Sequence, residues 1–553
     1  MKGFKKATSI LLIAVLALSM LSGCGTKKPE EVVSVEYVKD ENLNKPGTFP
    51  VCKEKITLTI GIPKSALITD YENNTYTQKL EELMNCDLKF EYLPSSDTMQ
   101  KVELMMASGG DELPDIICGV NFTDGALLGY GESGMIVPLN AYYENSAYYL
   151  KEALKEEEDL KNMITLPDGK MYYVPRYNKA LPNELGCTRA WVNKKWLDAV
   201  GMDVPTTTKD FKKMLKAFKE KDPNGNGKAD ELAFSGYTSL GNLCGLEYIF
   251  GSFVKFTPKT SYLYVDGKDK VQAGYMQDGW KEAIKYCADL YKDGLISDST
   301  FTLDSQSFKP IKNNPGVPIL GSFVSMSLGF NADVQDRYNE YVPLPPLKHK
   351  KKDGNAVWVP TVPATGFVIT KNCKYPEAAF MLGDIMCSPD MSLSNRWGEK
   401  DVDWVYASED DQSLYGDIGY DAVVKMINDK WGVTTNAHWN GAGPTYRGYP
   451  LSLGQVASEN NFEEASIAES TKLYLKSADM TDVKKFVYDM DCLAEANELN
   501  SSIESYVKEM TTLFVVGEKN VDKEWNQYID ELKNMGIDTL IEYTQAAYDK
   551  TKK

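Results

Sequence analysis

Residues 56–62 read Ile-Thr-Leu-Thr-Ile-Gly-Ile, apolar side chains alternating with small ones. That period of two predicts a strand. Residues 75–85 change to helical spacing, 88–93 return to a strand, and 99–108 are helical again, stopping at Gly109-Gly110. Residues 114–118 form a short apolar strand. Strand, helix, strand, helix, strand predicts a mostly parallel sheet with helices on both faces. A second block starts near Arg189, with a strand at 190–192 and helices at 195–200 and 208–219. Segments 232–235, 276–291 and 317–322 continue the alternation. Two Pro-containing crossings, 172–186 and 344–363, separate these blocks, and a strand at 366–370 follows the second. Helical periodicity at 465–477, 483–502 and 522–535 fills the C-terminal third, with Trp525, Tyr528 and Leu532 on one packed face. Repeated crossings predict two discontinuous α/β lobes joined by hinges, with no solenoid repeat.

The first residues do not fit a globular pattern. Lys2, Lys5 and Lys6 precede an apolar run from Ile10 to Met20, which ends in Leu21-Ser22-Gly23-Cys24. A charged start, a short apolar stretch and small residues before a cut describe a secretory signal. The quartet resembles a lipobox, which makes Cys24 the lipidated first residue of the mature chain. Residues 25–50 then read as a polar stalk.

Composition narrows the function. The 553 residues are 43% hydrophobic and 25% charged, ordinary for a folded chain, with net charge −18. Such acidity argues against a nucleic-acid partner, which needs clustered Lys and Arg. His349 and His438 are the only imidazoles, too few for a His-rich metal centre and unfavourable for a Ser-His-Asp hydrolase. Nine Cys remain beyond Cys24, scattered and without a C-x-x-C pair. They are expected to be mostly reduced core residues.

The sharpest local chemistry is the loop 222–231, Asp-Pro-Asn-Gly-Asn-Gly-Lys-Ala-Asp-Glu. Asp222, Asn224, Asn226, Asp230 and Glu231 offer side-chain oxygens, Lys228 a carbonyl, and Gly227 the sharp turn. Hard oxygens at alternate positions suit Ca²⁺ in a structural role. The loop departs from an EF-hand because Ala233 stands where the closing Glu belongs, so Glu231 would have to close the shell. The alternative is a plain polar turn.

Several stretches in a fixed order carry a resemblance. They include Ala107-Ser108-Gly109-Gly110-Asp111-Glu112-Leu113-Pro114-Asp115, Gly134-Met135-Ile136-Val137-Pro138-Leu139, Pro167-Asp168-Gly169-Lys170 and Val192-Asn193-Lys194-Lys195-Trp196-Leu197. Tyr375-Pro376-Glu377-Ala378-Ala379, Arg396-Trp397-Gly398-Glu399 and Gln545-Ala546-Ala547-Tyr548 follow. With these the chain resembles the family 1 extracellular solute-binding lipoproteins of carbohydrate ABC importers, and within them the long, alginate-type oligosaccharide receptors. The resemblance implies a periplasmic-binding-protein-like α/β fold of type II, whose jaws close on a ligand. It implies ABC permease subunits as partners, a monomer held by lipid on the outer face of the cell membrane, and no enzymatic activity. It also implies that Asp222, Asn224, Asn226, Lys228, Asp230 and Glu231 are calcium ligands. The expected division is a signal at 1–23, a lipidated start and stalk at 24–52, a first lobe from 53–175 and 356–410, and a second lobe from 176–355 and 411–553.

Sugars show hydroxyl edges and apolar ring faces, so a sugar cleft wants aromatic plates beside hydrogen-bonding groups. The chain has 9 Trp, 33 Tyr and 19 Phe. Trp397, Trp404, Trp431 and Trp439, with Arg396 and His438, lie among Gly, Asn and Arg and are expected in the cleft. Ligands meet parallel sheets at the carboxyl ends of strands, which nominates Lys64, Asn121, Tyr237 and Phe323, and Arg189 lies just past the first crossing. Five Arg in the whole chain favour a neutral sugar over an acidic one. A peptide receptor is the alternative, and a carbohydrate-cleaving enzyme with two carboxylates a more distant one.

Overall fold

The computed structural model describes residues 37, 39–186, 189–239, 241, 243–430, 432–457 and 462–552. The leader, Cys24 and Trp431 lie outside the described residues. Thirteen strands are described: β1 Ile56–Pro63, β2 Cys86–Leu93, β3 Ile116–Cys118, β4 Tyr173–Asn178, β5 Ala190–Asn193, β6 Leu263–Val265 and β7 Val271–Ala273. The rest are β8 Ser322–Val324, β9 Tyr341–Leu344, β10 Ala364–Ile369, β11 Trp404–Tyr406, β12 Val424–Met426 and β13 Thr445–Arg447.

The alternation seen in the sequence builds the first sheet. Ile56, Leu58, Ile60 and Ile62 of β1 are all buried. Burying apolar strand faces of this kind is the main driving force for such a layer. β1 runs parallel to β2 and β3, and the sheet order is β13-β4-β10-β3-β1-β2. Only β10 is antiparallel to its neighbours, β3 and β4. The second sheet, β8-β5-β9, is smaller and antiparallel. Segment 232–235, expected as a strand, joins it only through the bridges Leu232–Leu320 and Ser235–Phe323.

Two of the expected segment limits sit differently from the sheets. β4 continues to Asn178, so its strand passes the limit drawn at 175. β13 pairs in parallel with β4, Arg447 opposite Asn178, so 445–447 belongs with the first sheet and not with the expected second-lobe segment 411–553. The reason is register. A three-residue edge strand has too few residues to show a period, and its partner lies over 250 positions away.

The chain therefore crosses between the sheets after β4 and after β9, and after β13 it passes back to helices that pack against the second sheet and its core, three crossings in all. One side chain ties the crossings together. Glu184, 1% exposed, accepts from the Thr361 amide at 3.0 Å through one carboxylate oxygen and from the Tyr449 hydroxyl through the other. Its carbonyl accepts from the Val359 amide at 2.8 Å.

The C-terminal helices Met490–Val516, Val521–Asn534 and Ile537–Lys550 complete the second core. The helix Asp278–Lys292 buries Trp280, Ala283, Ile284, Cys287 and Leu290 on one face, at the spacing a buried helical stripe requires. Trp280 is fully buried, with Phe250 at 4.7 Å and Tyr262 at 5.4 Å between ring centroids. The expected face of Trp525, Tyr528 and Leu532 is buried as well. Eight cysteines among the described residues are free, six of them buried. Among the described residues no helix is long and apolar enough to cross a membrane.

Candidate functional site

The carboxyl ends of β1 and β3, Arg176 of β4 and the loop before β13 frame a hollow of about 260 Å³, lined by Lys64, Tyr71, Arg176, Trp439 and Asn440, among others. A larger hollow of about 530 Å³ lies between the helices Thr75–Met84 and Pro389–Trp397. It touches no strand of the first sheet, so the smaller hollow is the one placed where α/β sheets receive ligands.

Lys64 is exposed beyond β1, its Nζ 5.8 Å from the centroid of the Tyr92 ring. Asn121 is exposed after β3. Arg396 and Trp397 end the helix Pro389–Trp397, where loop had been expected. Ser388 starts that helix by accepting from the Met391 amide, and Pro389 suits its first turn. Trp397 is 6% exposed and has two guanidinia near its ring, Arg396 Cζ at 5.5 Å and Arg447 Cζ at 5.6 Å from the centroid. Arg447 Nε donates to Asn178 Oδ1 at 2.9 Å. Burial and then the neighbouring Arg396 push the pKa of Arg447 down to about 9.

Arg447 and Arg176 are site residues that the sequence reading missed. The signal available was the short Thr-Tyr-Arg run after Pro444, because an Arg that ends a strand faces the carboxyl-end side. Arg189 is where the first crossing was expected, but it is 1% exposed and works as a clasp. It donates to the Met326 carbonyl, to the Pro182 carbonyl at 3.2 Å and to Thr471 Oγ1 at 2.9 Å. Glu464 lies in the electrostatic field of both Arg396 and Arg189. Its pKa is raised by burial, against the pull of Arg396.

Several other expected plates are covered by protein, and Tyr237 in part. Phe323 is fully buried against Tyr341 at 5.6 Å and Phe308 at 6.4 Å. Tyr237, half-buried, packs on Phe308 at 5.5 Å. Trp404 is fully buried and its Nε1 donates to the Gly398 carbonyl at 3.0 Å. A ring covered by protein leaves no face for a sugar. Trp439 is 1% exposed, with its ring edge-on to Tyr76 and Phe90 and Nε1 on Thr77 Oγ1 at 2.8 Å, so it offers the hollow only a margin. The glycine near it has a packing reason. Gly443 holds φ +82°, and a Cβ there would meet Cys118 Sγ at 3.0 Å and Met386 Cε at 2.7 Å.

His438 is fully buried; its Nε2 lies 3.1 Å from the Lys430 carbonyl and its Nδ1 accepts from the Asn440 amide at 2.9 Å. Burial lowers its pKa. The unfolded chain therefore takes up a proton near pH 6.5 while the folded chain does not. The stability contributed by neutral His438 is present above that pH and is lost as pH falls below it. His349 is lowered too, by burial first. With two imidazoles in the chain, proton NMR should show both ring signals titrating below 6.5; a signal titrating above it contradicts the burial account.

The loop 222–231 coils on itself. The Asp222 carboxylate accepts from the amides of Asn226 at 3.2 Å and Gly227 at 2.9 Å, and Asn224 Oδ1 accepts from Asn226 at 2.9 Å. Gly225 and Gly227 hold φ +68° and +74°, the left-handed turns that such winding needs. Asn224 and Asn226 donate their amide groups to Asp230. Glu231 is 9% exposed, and its Oε1 is buried without a hydrogen-bond partner. Burial first, then Asp222 and Asp230, raise its pKa. Among the described residues no three His, Cys, Asp or Glu side chains form a ready metal cluster. The loop's donor set instead combines three carboxylates with amide and backbone oxygens, which is calcium chemistry.

The chain is 25% identical over 569 aligned residues to the fructooligosaccharide ABC transporter substrate-binding protein FusA of Streptococcus pneumoniae, covering 99% of this chain and 98% of that one. It is 28% identical to lipoprotein LipO of Bacillus subtilis over 48% of this chain and 50% of LipO. Solved structures of FusA with kestose, and of a FusA EF-hand mutant with fructo-nystose, share its fold at a TM-score of 0.71, with 23% and 22% identity over 90% of this chain and 99% of theirs. The alginate-binding protein AlgQ2 without calcium ion matches at a TM-score of 0.63 and 21% identity, over 91% of this chain and all of AlgQ2. These structures confirm the expected α/β solute-binding fold. A profile of bacterial extracellular solute-binding proteins matches residues 75–395, more than half of the sequence. The chain belongs to the bacterial extracellular solute-binding protein family.

Proposed function

We propose that the protein is a lipid-anchored receptor that captures an oligosaccharide between its lobes and delivers it to an ABC importer. The observation that carries this reading is the set of polar, cationic and aromatic groups at the carboxyl ends of the first sheet, beside three crossings where the lobes can pivot. The length-wide likeness to FusA supports sugar as ligand. Closure then follows if the ligand makes contacts in the closed form that the open form lacks. The Leu-Ser-Gly-Cys quartet at 21–24 and the likeness to LipO support a lipid on Cys24. We also infer that Asp222, Asn224, Asn226, the Lys228 carbonyl, Asp230 and Glu231 hold a structural Ca²⁺. The buried, unpartnered Glu231 oxygen is what such an ion would satisfy.

Isothermal titration with oligosaccharides, kestose included, against a matched set of peptides tests the receptor reading. One saturable site for a sugar, with a smaller radius of gyration by X-ray scattering, is the expected result. Heat from peptides alone overturns the sugar assignment. New reducing ends after incubation overturn the assignment as a receptor that leaves its ligand intact.

A further inference from the structure

We infer that the captured sugar is acidic, its carboxylates seated on Lys64, Arg176 and Arg447. This rests on the oligosaccharide reading of the same cleft and names the ligand class within it. The chain has five Arg, a number that by itself favours a neutral sugar. Their placement points the other way. Arg176 and Arg447 stand on the neighbouring strands β4 and β13, on either side of Asn178. Arg396 shares the Trp397 ring with Arg447, and Arg189 follows at the crossing. Arg176, Arg396 and Arg447 therefore lie at this end of the first sheet, and Arg189 shares Glu464 with Arg396, in a protein whose net charge is −18.

These charges are not balanced alike. Glu464 and Asp429 lie in the field of Arg396, and Glu464 also serves Arg189. Among the described residues, by contrast, no carboxylate makes an ion pair with Lys64, Arg176 or Arg447. Arg447 is half-buried, with a neutral amide and an aromatic ring for company and a second guanidinium nearby. Poorly hydrated guanidinia side by side are electrostatically unfavourable until an anion arrives. A sugar carboxylate matches the planar fork with two parallel hydrogen bonds, whereas a hydroxyl supplies no charge. Lys64 and Arg176, both on the rim of the 260 Å³ hollow, extend the positive strip toward β1, so successive acidic residues of one chain could each meet a cation.

The test titrates the full chain with trigalacturonate, trimannuronate and a glucuronic-acid trisaccharide, and with kestose and maltotriose as neutral trisaccharides of equal length. At least one acidic trisaccharide should bind tenfold or more tighter than either neutral one. Its affinity should fall steeply between 50 and 500 mM NaCl, and Arg447→Gln should weaken it more than tenfold. Lys64→Gln, at an exposed position where folding is not in question, should weaken it several-fold. If a neutral sugar binds as tightly as every acidic one, or alone, the acidic assignment fails and the oligosaccharide reading stands. If no sugar binds and peptides do, both fail.

Discussion

Replacing Trp280 by alanine is expected to lower the free energy of unfolding by about 3–5 kcal/mol, the range for removing a large aromatic from a core. The cost is high because nothing can collapse into the gap. Trp280 is fully buried and four aromatic rings approach it, those of Phe250, Phe256, Tyr262 and Tyr275. Its indole N–H donates to Thr511 Oγ1 at 3.4 Å, so the substitution also strands a polar group between helices far apart in sequence. Urea unfolding of Trp280→Ala and Trp280→Phe measures this. Phe should recover most of the loss; a loss under 1 kcal/mol for Ala would show that the core does not depend on this ring.

Chelating the proposed calcium ion is expected to give the second large effect. An ion bound only to the folded chain stabilises it by about 2.7 kcal/mol when free calcium is a hundred times its Kd. For lobes of about 150–250 residues this is a fall in Tm of roughly 5–10 °C on chelation. Calcium, and not magnesium, should restore the melt, since a coiled loop of many oxygens suits the larger ion. Glu231→Gln should make the melt insensitive to chelator, because the buried Oε1 is the oxygen with no other partner. An unchanged Tm with EDTA at low protein concentration would reject the ion.

Much of the fold was legible because its signals are local. β1 shows its period of two in seven consecutive residues, and the helix holding Trp525, Tyr528 and Leu532 shows its buried face within two turns. The loop 222–231, which we propose holds calcium, is local too, ten residues long. What the sequence hid depends on partners distant along the chain. β13 has three residues and a partner in β4, so its membership in the first sheet leaves no trace around it. The cleft was half legible for the same reason. Rules about strand ends nominated Lys64 and Asn121, which are exposed, whereas Gly and Asn beside Trp marked tight backbone approach instead of an open surface. Thus Phe323, Trp404 and His438 are interior, and Arg447, marked only by the short Thr-Tyr-Arg run after Pro444, stands beside Trp397.

The triple crossing pinned by Glu184 also governs how the molecule can be made. The first sheet receives its last strand at Thr445–Arg447, and the helix that covers Trp280 begins at Met490. Glu184 meets Thr361 and Tyr449 only after both have been synthesised. The first sheet therefore stays open until Arg447 has emerged, and the second core until the chain is nearly complete, so apolar segments of both wait for partners far downstream. Late closure of this kind keeps a chain threadable until nearly all of it has passed through a narrow channel. It also means that cutting the polypeptide at any one crossing would not yield two independent halves.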